Sequence, residues 1–533
     1  MNDIELRSIA AVVTACLFCI ATLPSLGAMQ QSGYKNGNFM RWLKRKDNMS
    51  FNRLCVLALC LGLSSTATAL CFSFFGERIA LALSAIPFWG LVIGFCFAGE
   101  KYALKVKINR TGRVKRLFVA YCLLTAIFAY ACIAVLWLLS SINGSFIYGL
   151  IAYLPFALCP LCLPMLLCAA NGIMGIFENA RNAKFVKRAG QVLDESKIIR
   201  IGIVGSYGKT SVKNILKTLL AEKYSVVETP ESYNTPMGIA KTVLSPEFAD
   251  KEVFIAEMGA RKRGDIQELC ALVKPDYAIF TGVCEQHIAT FGTLENIWSE
   301  KKEIIKSGAR VVCGADLKVW AQEEFGALET LTYADMQNVT EKRLGATSTS
   351  FVLTLGGERI VVETSLLGDV AVENIVLAAT LAYQMGVSTQ EIAQGVKKLQ
   401  PIPHRLQLLE NNGISILDDG YNCNQRGAKE GIAALKRFDG RTCIVTPGII
   451  ECGILEESVN GALGKEIAEA GIDKVILVGE TLVGAVKTGY LENGGGAEKL
   501  QTVPTLQAAQ TVLQDWLQSG DAVLFLNDLP DVY

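Results

Sequence analysis

The stretch Ile198-Ile199-Arg200-Ile201-Gly202-Ile203-Val204-Gly205-Ser206-Tyr207-Gly208-Lys209-Thr210-Ser211 decides how this chain folds. Its first seven residues are rich in β-branched side chains and read as a strand. A short glycine turn follows, and from Val212 to Glu222 the apolar residues recur at helical spacing. A strand, a glycine turn and a helix in succession form a phosphate cradle, in which main-chain N–H groups and the helix N-terminus receive phosphate oxygens. Lys209 supplies a point charge for the β- and γ-phosphates, and Thr210 a hydroxyl for Mg²⁺. The spacing falls short of a full Walker motif, because Ile203 stands where its first glycine belongs. An ordinary glycine turn is the alternative.

Downstream, short β-branched runs (Val253 to Ala256, Tyr277 to Thr281, Arg310 to Cys313) alternate with helix-like stretches. That pattern specifies a parallel α/β sheet. Ser348 to Thr364 alternates like an inserted hairpin. Near Leu399 to Pro403 a proline-bearing break opens a second α/β unit, with strands near Ile414 to Leu417, Thr442 to Thr446, Lys474 to Val478 and Ala522 to Leu526.

Upstream the chemistry changes. The 533 residues carry 51 basic and 51 acidic side chains, yet residues 1–177 hold 15 basic against 5 acidic. Only 19% of the chain is charged and 51% is hydrophobic, which excludes disorder, collagen and a disulfide-stapled miniprotein. Of 17 cysteines, 11 lie in the first third inside apolar runs and form no disulfide framework. The Cys-x-x-Cys pairs Cys16/Cys19 and Cys159/Cys162 lack the neighbouring ligands of a metal site, and small apolar fillers are the simpler reading.

Five apolar stretches of about 20 residues can each cross a hydrocarbon core of ~30 Å: Ile9 to Met29, Leu54 to Phe75, Ile79 to Gly99, Leu117 to Ser140, and Phe146 to Ala170. The first has no basic cluster ahead of it and reads as a retained span. Basic residues crowd two loops, one with Lys35, Arg41, Lys44, Arg45, Lys46 and Arg53, the other with Lys101, Lys105, Lys107, Arg110, Arg113, Lys115 and Arg116. Both therefore face the cytoplasm, which places the N-terminus outside and everything after Asn171 inside a plasma membrane crossed several times. No charged residue or His lies within a span, so neither an ion path nor a transporter is indicated. Pro155, Pro160 and Pro164 bend the fifth span, or line a lipid-facing groove.

The expected architecture is thus multi-domain: a five-helix transmembrane region at 1–177, a polar basic linker at 178–197, an α/β P-loop ATPase domain at 198–400 and a smaller Rossmann-like α/β domain at 401–533.

Further motifs follow the glycine turn in a fixed order. They are Tyr233-Asn234-Thr235-Pro236-Met237-Gly238, Glu257-Met258-Gly259-Ala260, His287 with Phe291-Gly292-Thr293-Leu294 and Lys301, and then Asn374. Beyond the break come His404-Arg405-Leu406, Asp418-Asp419-Gly420-Tyr421-Asn422-Cys423-Asn424, and Pro447-Gly448-Ile449-Ile450-Glu451-Cys452-Gly453. In that order, over about residues 198–480, they resemble the muramyl-peptide ligases (Mur ligases), in particular the branch that adds D-alanyl-D-alanine.

The resemblance implies an enzyme that couples a carboxylate to an amine with ATP and Mg²⁺, releasing ADP after an acyl-phosphate intermediate. Such chemistry rests on positioning and charge stabilisation. By the same resemblance Lys209 holds the transferred phosphoryl group, Thr210 and Glu257 bind one Mg²⁺, and His287 a second. Lys301 matches a position that carries a metal-bridging carbamate in some members, although Glu300, Lys302 and Glu303 around it equally suit a salt-bridged helix face. Gly205, Ser206, Gly208 and Ser211 complete the phosphate cradle; Asn374, Arg405, Asp419, Tyr421, Asn422 and Asn424 are implied nucleotide contacts. His404 and His287 are the only two histidines. Read without the resemblance, Glu257 is a carboxylate at the crevice edge of a strand or a solvated strand end, and Asp418 to Asn422 a turn.

Several departures limit the likeness. Apolar stretches replace the family's UDP-binding domain. Gly282 stands where an Asn is common, Val370-Ala371 where a His-Asn pair is expected, Cys423 and Gln425 flank Asn424, and Asn527 to Asp531 replaces a late substrate-choosing segment. The expected function is a membrane-anchored ligase of cell-wall or surface-polymer synthesis, with membrane lipid around it, a lipid-linked substrate among its candidates and no nucleic acid. A poly-γ-glutamate synthetase of the capsule type and a nucleotide-binding scaffold without chemistry are the alternatives.

Overall fold

The computed structural model describes residues 22–44, 54–59, 108–142 and 159–526, apart from 232, 285–287, 422–423, 451 and 480, together with scattered positions in 12–20 and residues 63 and 94. The described chain divides into two compact units that meet in sequence at Ala183 and Lys184.

In the first unit the helices Leu23–Gln31, Asn36–Leu43, Gly112–Ile142 and the leading part of Cys159–Glu195 share one apolar cluster, in which Phe18, Met29, Phe39, Leu117, Tyr121 and Leu167 are fully buried. Polar groups inside it are paired. Thr22 Oγ1 lies 3.0 Å from the Tyr121 hydroxyl, and the buried Glu178 carboxylate accepts from Arg116 and Arg181 at 2.6 Å each. Among the described residues two helices are long and apolar enough to cross a membrane, at Gly112–Cys132 and Pro160–Glu195. Most of the second expected span and nearly all of the third lie outside the described residues. Residues 178–197, expected as a linker, are helical as far as Glu195: the helix Cys159–Glu195 runs 37 residues, about 55 Å. Ala189 and Leu193, four residues apart, bury against the central sheet, which is why this polar segment stays wound.

The second unit holds two six-stranded sheets. The first comprises β1 (Ile199–Val204), β2 (Val226–Glu228), β3 (Val253–Glu257), β4 (Tyr277–Phe280), β5 (Arg310–Cys313) and β6 (Leu331–Tyr333) in the spatial order β2-β3-β1-β4-β5-β6, parallel throughout. Strand order reverses around β1, and a ligand crevice opens beyond the carboxyl ends of strands at such a point. One face of the sheet is covered by the helices Lys209–Leu220 and Asp369–Gln384, the other by Pro236–Val243, Asp265–Val273 and Leu294–Lys301. Val212, Leu216, Leu219 and Leu220 of the first helix are fully buried, each side chain contributing roughly 1.5–3 kcal/mol. The expected hairpin is present as β8 (Thr349–Leu355) and β9 (Glu358–Thr364), with β7 (Val339–Leu344) added antiparallel to β8.

The second sheet contains β10 (Gln407–Asn411), β11 (Ile414–Asp419), β12 (Thr442–Thr446), β13 (Lys474–Val478), β14 (Leu500–Val503) and β15 (Ala522–Leu526) in the order β10-β11-β15-β12-β13-β14. Its strands are parallel except the edge strand β10, which is antiparallel to β11.

Candidate active site

The parallel register pairs Ile203 of β1 with Glu257 of β3, so the carboxylate emerges beside the glycine turn that ends β1. Two glycines there are required by geometry. A Cβ at Gly205 would collide with Thr281, and Gly208, at φ +72°, faces Asn374 so closely that a Cβ would lie 2.7 Å from Oδ1.

Around this turn the structure gathers cations and one buried carboxylate. Lys209 Nζ donates to Gly205 O at 2.7 Å, and Lys301 Nζ donates to the same carbonyl at 2.9 Å. Burial holds the Lys209 ammonium below the ordinary lysine range, with Glu257 opposing. Lys301 is 2% exposed; burial, reinforced by the Lys209 charge, pushes its pKa down to about 7. Lys301 therefore does not belong to a salt-bridged surface. Its neighbour Lys302 takes that part by pairing with Glu324, while the buried Glu300 accepts from Gly264 N and Ile266 N at 2.7 Å each.

Glu257, 1% exposed, has both oxygens engaged. Oε2 accepts from Thr210 Oγ1 at 2.9 Å and lies 3.4 Å from Lys213 Nζ, and Oε1 accepts from Asn234 Nδ2 at 3.2 Å. Lys213, also 1% exposed, donates to Thr229 O and Glu231 O at 2.7 and 2.5 Å, so its charge is neutralised and its donors are filled. Among the described residues no cluster of three or more His, Cys, Asp or Glu is built for a metal. A carboxylate and a hydroxyl 2.9 Å apart are nonetheless hard oxygen donors of the kind Mg²⁺ accepts while keeping most of its water, so the residues present fit that ion. His287 and Asn422 lie outside the described residues.

Every other expected site residue lines one cavity of about 710 Å³, except Gly205, whose carbonyl anchors both lysines. The second sheet supplies its far wall. Leu406 N donates to Asp419 Oδ1 at 3.1 Å. The Arg405 guanidinium lies 4.5 Å from the centroid of the Tyr421 ring and donates to Tyr421 O at 3.0 Å. His404 turns away to Asp418, with Nδ1 2.7 Å from Oδ2. Asn424 caps the helix Gln425–Leu435, accepting from Gly427 N at 2.8 Å, and its Nδ2 reaches Cys284 Sγ at 3.7 Å.

Sequence reasoning missed two groups. Lys213 carried a signal: it falls on the apolar stripe of its helix, where an unpaired charge would be costly. The other group surrounds Tyr207 in the glycine turn. Its ring fills the space over Gly282, where any side chain would collide with it, and Arg426 from the second sheet's first helix lies 4.6 Å from the ring centroid. Arg426 also donates to the Tyr207 hydroxyl, to Asp316 at 3.1 Å and to both oxygens of Glu373 at 2.5 Å. Burial raises the pKa of Glu373, and the Arg426 charge opposes that rise. The Val370-Ala371 departure lies in the cavity wall as well.

A parallel sheet with a lysine-bearing phosphate turn, a buried carboxylate–hydroxyl pair beside it and a second lobe across the cavity suit an ATP-dependent ligase. The sequence profile of the Mur ligase middle domain matches residues 203–382, and that of the Mur ligase glutamate ligase domain matches residues 404–527. Together they span more than half of the chain, and the protein belongs to the Mur ligase family, as an ADP-forming acid–amino-acid ligase whose cofactors are ATP and Mg²⁺. It is 28% identical over 344 residues to the UDP-N-acetylmuramoyl-tripeptide–D-alanyl-D-alanine ligase of Bacillus subtilis, covering 61% of this chain and 72% of that protein. The match to the same ligase of Mycobacterium tuberculosis is 26% over 396 residues, covering 67% and 77%. Among solved structures, MurF of Thermotoga maritima in complex with ADP superposes with a TM-score of 0.58 at 25% identity, covering 66% of this chain and 81% of that one. MurF of Acinetobacter baumannii shares the fold, with a TM-score of 0.59 at 22% identity, over 66% and 78% of the two chains.

Proposed function

We propose that this chain is a membrane-anchored ligase of the MurF type that joins a peptide carboxylate to an amine in peptidoglycan or a related surface polymer. The observation that carries this reading is the convergence of Lys209 and Lys301 on one carbonyl of the phosphate turn, beside the Thr210–Glu257 pair.

In the reaction a substrate carboxylate oxygen attacks the γ-phosphorus of ATP. The bond to the β-phosphate oxygen breaks, and ADP and an acyl phosphate result. An amine then attacks the acyl carbon, the carbon–oxygen bond to phosphate breaks, and the proton shed by nitrogen passes to solvent. Lys209 holds the transferred group, the turn's N–H groups hold the phosphates, and both lobes exclude water. Bound at Thr210 and Glu257, Mg²⁺ would offset phosphate charge. Lys301, with a pKa near 7, keeps a large neutral fraction at physiological pH; a neutral amine is the form that adds carbon dioxide to give a carbamate.

The anchor is argued from the five apolar stretches, and the cytoplasmic side of the catalytic lobes from the basic residues between those stretches. On the helix Gly112–Ile142, Val119, Leu123 and Ile127 stand four residues apart and are more than half exposed, as a lipid-facing stripe requires. Since apolar stretches occupy the sequence ahead of the phosphate turn, a lipid-linked acceptor is a candidate beside a UDP-linked one.

The test is to supply full-length protein in detergent with ATP, Mg²⁺, UDP-N-acetylmuramoyl-tripeptide or its lipid-linked form, and D-alanyl-D-alanine, and to measure ADP and new amide. Absence of both products with every acceptor and amine tried rejects the proposal. A Lys209→Ala chain that still complements a deletion strain would favour the non-catalytic scaffold, and repeated addition of one amino acid would favour the poly-γ-glutamate synthetase.

A further inference from the structure

The cluster around Tyr207 belongs to none of the steps above, yet it lies in the cavity wall and ties three elements of the first lobe to one of the second. Arg426 is the second residue of the helix Gln425–Leu435, which follows the strand end bearing Asp419 and Tyr421. Its guanidinium reaches Glu373 on the helix Asp369–Gln384 with both oxygens at 2.5 Å, Asp316 just beyond β5 at 3.1 Å, and the hydroxyl and ring face of Tyr207. A planar guanidinium suits this arrangement because it can grip a carboxylate with two parallel donors while stacking on an aromatic face.

Two of those contacts adjoin groups that touch the phosphate turn. Tyr207 is part of the turn; its carbonyl accepts from Thr281 Oγ1 at 2.5 Å, and its ring is seated over Gly282. Glu373 precedes Asn374, the residue packed against Gly208. The turn itself is short and contains two glycines, so its conformation depends on what surrounds it. Stabilising the charge that develops on the transferring phosphoryl group requires that conformation to be set before the reaction, because donors that must reorganise lose most of their value.

We infer that Arg426 is an interlobe positioning residue: its guanidinium, reaching across from the second lobe, holds Tyr207 against Gly282 and thereby fixes the phosphate turn in its working shape. The inference rests on the ligase reading for its kinetic arm, and on nothing but folding and nucleotide binding for its structural arm. Arg426 touches no reacting atom in this scheme. It acts through Tyr207 and Glu373, and it makes a productive phosphate cradle conditional on the second lobe being in place.

The experiment uses the full chain in detergent, saturated with a non-hydrolysable ATP analogue, and follows amide hydrogen exchange by mass spectrometry. In Arg426→Ala, amides of residues 205–211 should exchange at least tenfold faster, while those of β12 and β13 stay at the wild-type rate, which shows that the second lobe remains folded. Turnover should fall at least tenfold, with the dissociation constant of the analogue changed less than threefold. Glu373→Gln, which leaves the guanidinium and removes one charge, should give a smaller change of the same kind. The double variant Arg426→Glu with Glu373→Arg should recover part of the protection. Equal exchange of 205–211 in wild type and both single variants overturns the inference, as does a loss that spreads to β12 and β13 in both. If wild type makes no product with any substrate pair, the ligase reading fails on that result and the exchange data still decide the role of Arg426.

Discussion

The two sheets of the catalytic unit have the same strand count, yet they treat charge in opposite ways. In the first, acid and base are sunk at the carboxyl edge: Glu257, Lys213 and Lys301 are each no more than 2% exposed, and every one is held by a named partner. In the second, the corresponding edge carries Asp418, Asp419, Arg405 and Tyr421 on partly open ground, joined by stacking and single hydrogen bonds. Buried, paired charge is a preorganised cradle whose interactions are strong because water is absent. Half-exposed charge is adaptable, and suits a surface that must meet and release nucleotide. On the proposed function, the first sheet carries the chemistry and the second the nucleotide-facing wall.

If that division holds, the largest losses come from the first lobe. Lys209→Ala should lower kcat about 10³-fold, the order seen when one preorganised donor to a developing charge is removed, with ADP release as the measurement. Removing a metal-facing group should come next. Thr210→Val leaves the helix intact and takes the hydroxyl that donates to Glu257; kcat should drop roughly 10²-fold and the Mg²⁺ concentration for half-maximal rate should rise. A comparable kcat loss from a second-lobe residue that contacts nucleotide without reaching the phosphate turn would break the comparison. Arg405→Ala is the sharpest such trial: it should raise KM for ATP about tenfold while leaving kcat within about twofold, the signature of lost uniform binding.

The burial of Lys301 adds a pH dependence that belongs to the first lobe alone. Its folded pKa is near 7 and its ordinary value 10.5. Between those values the unfolded chain binds the proton more tightly than the folded one, so stability rises with pH across that window; below about 7 both states are protonated and the dependence ends. Melting temperatures measured from pH 6.5 to 9 should therefore climb less steeply in Lys301→Met than in wild type. Equal slopes would show that burial does not lower the pKa of this amine in the folded protein.

How much of this was legible in the residues follows the same contrast. Strands β1, β3, β4 and β5 are short, largely buried apolar runs that read as strands from composition, and the glycine turn between strand and helix reads as a candidate phosphate site with an ordinary turn as its alternative. Edge strands gave no such pattern: β2 and β6 are three residues long, and β10 ends in the exposed Glu410 and Asn411. They exist because a neighbouring strand offers its free edge, a tertiary cause absent from local composition. The polar run 178–197 reads as a linker because its charges dominate it, although Ala189 and Leu193 mark the buried stripe that keeps it helical. Lys213 could have been found from its place on an apolar stripe. Arg426 could not, since its partners at 207, 316 and 373 are distant in sequence and nothing at 426 announces them.

The smallest predicted effect sits on the seam between the two sheets. Asn424 serves its own lobe by capping the helix Gln425–Leu435 through Oδ1 and reaches the other through Nδ2, which approaches Cys284 Sγ at 3.7 Å. These functions are chemically separable. Asp at 424 keeps an oxygen for the Gly427 N–H and improves the charge at a helix N-terminus, but it removes the amide donor. Ala removes both. Asn424→Ala should therefore cost about 1 kcal/mol of stability in denaturant unfolding, and Asn424→Asp close to none, while both should weaken the seam and raise KM for ATP modestly and to the same extent. If Asp restores KM together with stability, then the cap alone positions Tyr421 and Asp419, the reach to Cys284 is incidental, and the second lobe is held shut chiefly by Arg426.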